Sequence, residues 1–188
     1  IAAQHMNQLL EDILTLSRTE AGKLEFHPEP MDVVEFCEEV LDEVKAIASS
    51  KHFLKLTLYG EKQIINLDPL ILRHILSNLL SNAIKYSTDN QTVQVTCHCT
   101  IDTVTISVQD NGIGIPEAEQ AHIFETFYRG ESVTNLPGTG LGLAIVKQSV
   151  EAFNGSITFN STENEGTTFT VILPMALAGE HDPNANVH

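Results

Sequence analysis

The chain has 188 residues, 42% of them apolar and 19% charged. That suffices for one domain with a buried core plus an appendage, and it is too apolar for a disordered segment. Ten cations against 25 carboxylates leave a net charge of −15, which argues against sequence-nonspecific binding to a nucleic-acid backbone. No run reaches the roughly 18 apolar residues of a membrane span, and no signal peptide opens the chain. The expected setting is cytoplasmic, with no membrane contact by this chain. The pattern is already under way at Ile1, so a membrane-anchored parent stays open.

Residues 1–21 predict a helix, because Met6, Leu9, Leu10, Ile13, Leu14 and Leu16 recur at three- and four-residue steps and Gly22 offers a stop. So short a stripe wants partner helices. Residues 23–31, with Pro28 and Pro30, predict a linker. Asp32 and Glu35 form a capping-box-like start for a second helix, whose apolar face is Val33, Cys37, Val40, Leu41, Val44, Ile47 and Ala48. Glu38, Glu39, Asp42 and Glu43 predict its solvated side. Strand patterns follow at Phe53–Tyr59 and 64–67. Asp68-Pro69 then opens a third helix that runs to Tyr86.

Two alternating runs, 93–101 and 104–108, predict a hairpin turning at Asp102. Cys97 and Cys99 share one face of its first strand. With Cys37 they make three cysteines, which is no disulfide framework. A metal pair is conceivable, but no second pair of ligands accompanies it, and small core residues in a reducing compartment is the simpler account. A glycine-bearing loop spans Asp110 to Pro116, and a short helix covers 117–123. Residues 125–137 lack periodicity. Gly138-Thr139-Gly140-Leu141-Gly142 leads into a helix to Phe153, and strands at 155–159 and 167–173 close the pattern. A tail runs from 176 to 188 and is expected to be disordered. Helices and strands mix without strict alternation, so the fold class is α+β, a sheet with helices on one face.

Three segments carry chemistry. At 100° per residue, Asn78, Asn82 and Lys85 fall within about 60° of the third helix, away from its core stripe of Leu72, Ile75, Leu76, Leu79, Leu80 and Ala83. Carboxamide oxygens suit Mg²⁺, and a lysine is a point charge for phosphate. The same edge could be merely solvated. Asp110 ends a strand before Gly112 and Gly114. A carboxylate there can accept from an exocyclic amine, though an ordinary Asp-Asn-Gly turn has the same residues. The glycine run 138–142 before a helix suits an anion. Leu143 stands where the dinucleotide fingerprint needs glycine, and the P-loop lysine is absent. After residue 51 there are six cations, and Lys85 and Arg129 both fall in these segments.

Together, Asn78-Leu-Leu-Ser-Asn82-Ala-Ile-Lys85-Tyr86, Asp110-Asn-Gly-Ile-Gly-Ile-Pro116, Ile123-Phe-Glu-Thr-Phe-Tyr-Arg129 and Gly138-Thr-Gly-Leu-Gly-Leu143 resemble the N, G1, F and G2 boxes of a sensor histidine kinase. The resemblance covers residues 32–175, the catalytic ATP-binding domain of the GHKL superfamily, and implies its two-layer α/β sandwich. Residues 1–22 resemble the end of the family's second dimerisation helix. ATP and Mg²⁺ are the implied ligands. The resemblance puts Asn82 on the metal, with Asn78 supporting metal or phosphates. Lys85 falls on phosphate and Tyr86 beside the nucleotide. Asp110 is implied for the adenine amine, with Thr167 in the same network, and Gly112, Gly114 and Ile115 shape that end. Residues 118–137 form the implied lid, anchored by Phe124 and Phe127, with Arg129 approaching the γ-phosphate. Gly138, Thr139, Gly140, Leu141, Gly142 and Leu143 make the implied hinge and phosphate-facing turn. Asn78, Lys85 and Arg129 carry the implied catalytic roles.

Implied partners are the kinase's own dimerisation and phosphoacceptor domain, as a homodimer in the parent, and a response regulator. Two departures bear on activity. The family's phosphoacceptor context is absent: His5 lies in residues 1–21, the stretch that resembles the second dimerisation helix, and His27, His52, His74, His98 and His122 lack the motif. The γ-phosphate is therefore expected to go to a histidine absent from this chain. Related ATPases place glutamate where this chain has Asn78, and an amide cannot serve as that base. A degenerate ATP-binding sensor, a GHKL-type ATPase and an anti-sigma-class serine kinase are the alternatives.

Overall fold

The computed structural model describes residues 27–174 apart from 48–51, 61–63, 89, 101, 135 and 137. The helix expected over 1–21 and the tail from 176 lie outside the described residues. Seven strands are described: β1 (Glu29–Asp32), β2 (Phe53–Tyr59), β3 (Ile64–Leu67), β4 (Thr92–Cys99), β5 (Thr103–Gln109), β6 (Ser156–Thr162) and β7 (Gly166–Pro174). The helices are α1 (Val33–Ile47), α2 (Pro69–Tyr86), α3 (Glu117–Gln120) and α4 (Gly142–Ala152), with a 3₁₀ turn at Glu131–Val133.

Five strands form one sheet in the order β2-β4-β5-β7-β6, parallel between β2 and β4 and antiparallel elsewhere. Period-two alternation sends Val93, Val95, Cys97, Cys99, Val104, Ile106, Val108, Phe169, Val171 and Leu173 to one buried face. α1, α2 and α4 cover that face, giving the α+β sandwich. The opposite face carries polar side chains, with Ser107 and Thr170 hydroxyls 3.0 Å apart across β5 and β7.

α2 is the central helix. Its whole predicted stripe is buried, and Ile71 joins it. Truncating a member such as Leu76 would cost about 2–5 kcal/mol. Asp68 caps the helix: Oδ1 accepts from the Leu70 and Ile71 amides at 2.9 and 3.1 Å, and Oδ2 accepts from the His27 amide at 2.9 Å. Asp32 Oδ1 likewise accepts from the Val34 and Glu35 amides at the start of α1. Val34 and Phe36 are buried as well, so α1 packs more of its surface than its stripe suggests.

The elements depart from the sequence pattern in three places. Residues 29–32, inside the segment expected to be a linker, pair antiparallel with β3. Pro30 is tolerated because β1 is an edge strand. The helix expected over 117–123 stops at Gln120 and continues as i→i+3 turns, with bonds from the His122, Glu125 and Tyr128 amides. β6 runs on to Thr162, past the end of its apolar alternation. The three cysteines are buried free thiols. Cys97 and Cys99 lie 3.9 Å apart, and among the described residues no cluster suits a metal. Burial first, then Cys97, pushes the Cys99 thiol up to about 12; the Cys37 thiol, then burial, raises Cys97. These thiols are inert packing.

Candidate functional site

The polar edge of α2 opens on a cavity of about 760 Å³ lined by Asn78, Asn82, Lys85 and Tyr86 among others. Asn78 Nδ2 donates to the His74 carbonyl at 2.9 Å, which turns its Oδ1 away from the helix. A Cβ placed on Gly142 would lie 2.6 Å from that oxygen, and one on Gly138 would lie 2.7 Å from Lys85 Nζ. The glycine turn therefore touches the two α2 side chains, and a side chain at either position would have to displace them. Lys85 Nζ donates to Tyr86 Oη at 2.8 Å and sits 4.5 Å from the ring centre. The Asn82 carboxamide lines the cavity with no hydrogen-bond partner among the described residues. It is a neutral hard oxygen donor, the kind of group that holds Mg²⁺ beside phosphates.

Asp110 stands where β5 stops. It is 7% exposed and lines the cavity. Its Oδ1 accepts from the Gly112 amide at 2.8 Å and the Thr167 amide at 3.3 Å, leaving Oδ2 for a ligand. Its own amide donates to the Thr167 carbonyl at 2.9 Å. Burial pushes the carboxyl up from its ordinary value, while the two amides pull it down. Gly112 does not line the cavity. It packs under the loop, where a Cβ would meet the Tyr86 carbonyl oxygen at 2.3 Å. Gly114 has φ +64°, and its Cβ would fall 2.0 Å from the Thr162 carbonyl oxygen. Ile115, Thr167 and Gly114 all face the cavity.

Several residues here escape sequence reasoning. Ser161 Oγ accepts from the Ile115 amide at 2.8 Å, reaches the Gly166 carbonyl at 3.1 Å and lies 2.9 Å from Thr167 Oγ1. Gln120 Nε2 bridges the Ile115 and Ser161 carbonyls at 2.9 and 3.3 Å. Phe159 and Phe169 join Phe124, the expected anchor, in a ring cluster with centres 5.9–6.5 Å apart, Phe124 packing edge-on against both, which anchors the segment after α3. The usable signal is register: Ser161 pairs with Thr167, and Phe159 with Phe169, across β6 and β7.

Two contacts hold the stretch after α3 in place. Glu119 Oε1 accepts from the Glu131 amide at 2.9 Å, and a Cβ on Gly130 would collide with that carboxylate. The Phe127 amide donates to the Gly140 carbonyl at 2.9 Å. Phe124 is an anchor; Phe127 instead is 65% exposed, with φ +63°. Arg129 lines the cavity, yet its Nη2 donates to the Val133, Thr134 and Leu136 carbonyls. Gly138, Thr139, Gly140, Gly142 and Leu143 also line the cavity, whereas Leu141 is fully buried in the core. The Leu141 amide is taken by Thr139 Oγ1 at 3.1 Å. The first amides of α4 begin at this wall, the favourable end of a helix for an anion.

The lining brings the cations Arg73, Lys85 and Arg129 and the buried carboxylate of Asp110 around one space of small-ligand size. The histidine kinase-, DNA gyrase B-, and HSP90-like ATPase family profile matches residues 67–177. The circadian input-output histidine kinase CikA of Synechococcus elongatus is 38% identical over 92% of this chain and 24% of its own length. The adaptive-response sensory kinase SasA of Synechocystis is 34% identical, over 90% of this chain and 45% of its own. The chain thus spans less than half the length of these curated relatives. Among solved structures, full-length ShkA in complex with AMPPNP superposes with a TM-score of 0.82 at 28% identity, covering 93% of this chain and 37% of ShkA. The mycobacterial sensor histidine kinase MprB gives 0.69 at 29% identity, covering 79% of this chain and 98% of the other.

Proposed function

Because this chain belongs to the histidine kinase-, DNA gyrase B- and HSP90-like ATPase family and is a histidine-kinase ATP-binding catalytic domain, we propose that it transfers the γ-phosphate of ATP to a histidine on a dimerisation domain. The observation that carries this is one cavity lined both by Asp110, whose Oδ1 takes two amides and leaves Oδ2 for a ligand, and by Asn82, Lys85 and the start of α4. The adenine amine donates to Asp110, and the triphosphate lies along the polar edge of α2.

Asn82 fits Mg²⁺, since its carboxamide faces the cavity unpaired among the described residues, and Asn78 Oδ1 lies on the same edge. The ion would supply charge neutralisation on the phosphates. The chain's own residues do the rest. Lys85 exchanges its bond to Tyr86 Oη for a phosphate oxygen. Arg129 leaves its carbonyls for the γ-phosphate. The turn at Gly138–Gly142 offers backbone amides. The imidazole nitrogen bonds to the γ-phosphorus as the bond to the ADP oxygen breaks, and the ring proton passes to solvent. Such a transfer rests on positioning and charge stabilisation. A response-regulator aspartate would then take the phosphoryl group. The buried free thiols suit a reducing setting such as the cytoplasm.

Hydrolysis is disfavoured by the same geometry. Asn78 cannot act as a base. Of the cavity carboxylates, Glu43 is held by Arg73 and Glu119 by the Glu131 amide, while Asp110 lies at the base end. The test is incubation with γ-labelled ATP, Mg²⁺ and a supplied dimerisation domain. Acid-labile, alkali-stable label on that domain is expected, lost in Lys85→Ala. Steady release of inorganic phosphate with no label transferred would overturn the kinase assignment.

A further inference from the structure

Thr167 and Ser161 form a cross-strand pair on the inner face of β6 and β7, directly beside Asp110. Each hydroxyl has one proton and two lone pairs. Ser161 Oγ has three neighbours: the Ile115 amide at 2.8 Å, the Gly166 carbonyl at 3.1 Å and Thr167 Oγ1 at 2.9 Å. The amide can only donate to it and the carbonyl can only accept from it. The Ser161 proton therefore goes to Gly166, and one lone pair goes to Ile115. The remaining lone pair faces Thr167. The Thr167 proton must then point at Ser161, which leaves the oxygen of Thr167 facing the cavity as an acceptor. The opposite arrangement, with Ser161 donating to Thr167, strips the Gly166 carbonyl of this bond. Thr167 is 6% exposed, so its proton has few other places to go.

We propose that Ser161 is a specificity-determining positioning residue that fixes Thr167 as an acceptor, so that this site takes a 6-amino purine and rejects a 6-oxo purine. With Asp110 Oδ2 it presents two acceptors, directly or through water, to the base edge. An adenine amine supplies two donors there. A 6-oxo group supplies an acceptor, and facing acceptors leave buried lone pairs unpaired, the strongest form of discrimination available to a small site. Without the Ser161 hydroxyl, Thr167 regains a rotatable proton and can donate to a 6-oxo group. The proposal rests on the assignment of the cavity to a purine nucleotide triphosphate.

The experiment measures affinity for ATP and for inosine triphosphate, which differ only at the 6-position and its protonated ring neighbour. Wild type, Ser161→Ala, Thr167→Val and the double variant are compared by calorimetry, with thermal melts as a check on folding. The ratio of the two dissociation constants should fall by roughly fivefold to tenfold in Ser161→Ala. Ser161→Thr, which keeps the hydroxyl, should hold the wild-type ratio. In the Thr167→Val background, Ser161→Ala should leave the ratio unchanged, because its effect runs through Thr167. Equal weakening of both nucleotides by Ser161→Ala, or the same change of ratio with and without the Thr167 hydroxyl, would show that Ser161 only braces the loop and would overturn the proposal. Absence of ATP binding by the folded wild type would instead overturn the nucleotide assignment beneath it.

Discussion

Two groups of residues lining the cavity are built differently. Around Asp110 the ligand groups are held by backbone: two amides fix one carboxylate oxygen, strand pairing fixes Thr167, and Ser161 and Gln120 staple the loop to β6. In the group with Lys85 the ligand groups are side chains bonded to their own neighbourhood: Lys85 to Tyr86, Arg129 to carbonyls within its own segment, Asn78 to the preceding turn of α2. A base is a rigid plane with fixed donors, and a preformed site loses no entropy in meeting it. A triphosphate is flexible and highly charged. Cations held apart from it by weak local bonds can exchange those bonds when it arrives, at little cost.

The contrast predicts that damage to the first group lowers both affinity and stability, whereas damage to the second lowers affinity alone. Asp110→Ala should be the most severe. It removes a charge-assisted acceptor and orphans two buried amides, so ATP should bind about a hundredfold more weakly. The melting temperature should drop as well. Asn82→Ala should weaken ATP about tenfold in Mg²⁺ and far less in chelator, at unchanged melting temperature. Arg129→Ala should weaken ATP about threefold, and hydrogen exchange should speed up at residues 131–136. A fall in stability with Asn82→Ala as large as with Asp110→Ala would break the contrast.

Acidity sharpens the contrast further. Burial raises the Asp110 carboxyl, so the folded protein takes up its proton at a higher pH than the unfolded chain does. Between the two values the native state binds more protons, so this group's contribution to stability falls as pH rises through that window. Only the ionised form keeps both oxygens as acceptors, Oδ1 for the two amides and Oδ2 for the adenine amine. ATP affinity should therefore decline on acidification from a pH above the ordinary carboxylate range. Asp110→Asn should lose that decline when affinity is measured across pH.

Much of this was legible in the sequence wherever one element decides the outcome. Helical period alone gathers Asn78, Asn82 and Lys85 on one edge of α2, and the end of an alternating run places Asp110. What depends on pairing between elements was not legible. Ser161 matters only because hairpin register sets it opposite Thr167. β1 hides behind two prolines because its partner, β3, lies more than thirty residues away. Arg129 and Phe127 follow from the local path of 118–137, which has no period to read. Leu141 sits amid a glycine-rich run that reads as a turn, yet its side chain is fully buried.

The most direct test is a crystal structure with a non-hydrolysable ATP analogue and Mg²⁺. The adenine amine should lie on Asp110 Oδ2, with Gly112, Ser161 and Thr167 where they stand now. Lys85 should have left Tyr86, and Arg129 should have left the Val133 and Thr134 carbonyls. A base bound elsewhere, or a base end rearranged while Lys85 and Arg129 keep their present partners, would contradict the account.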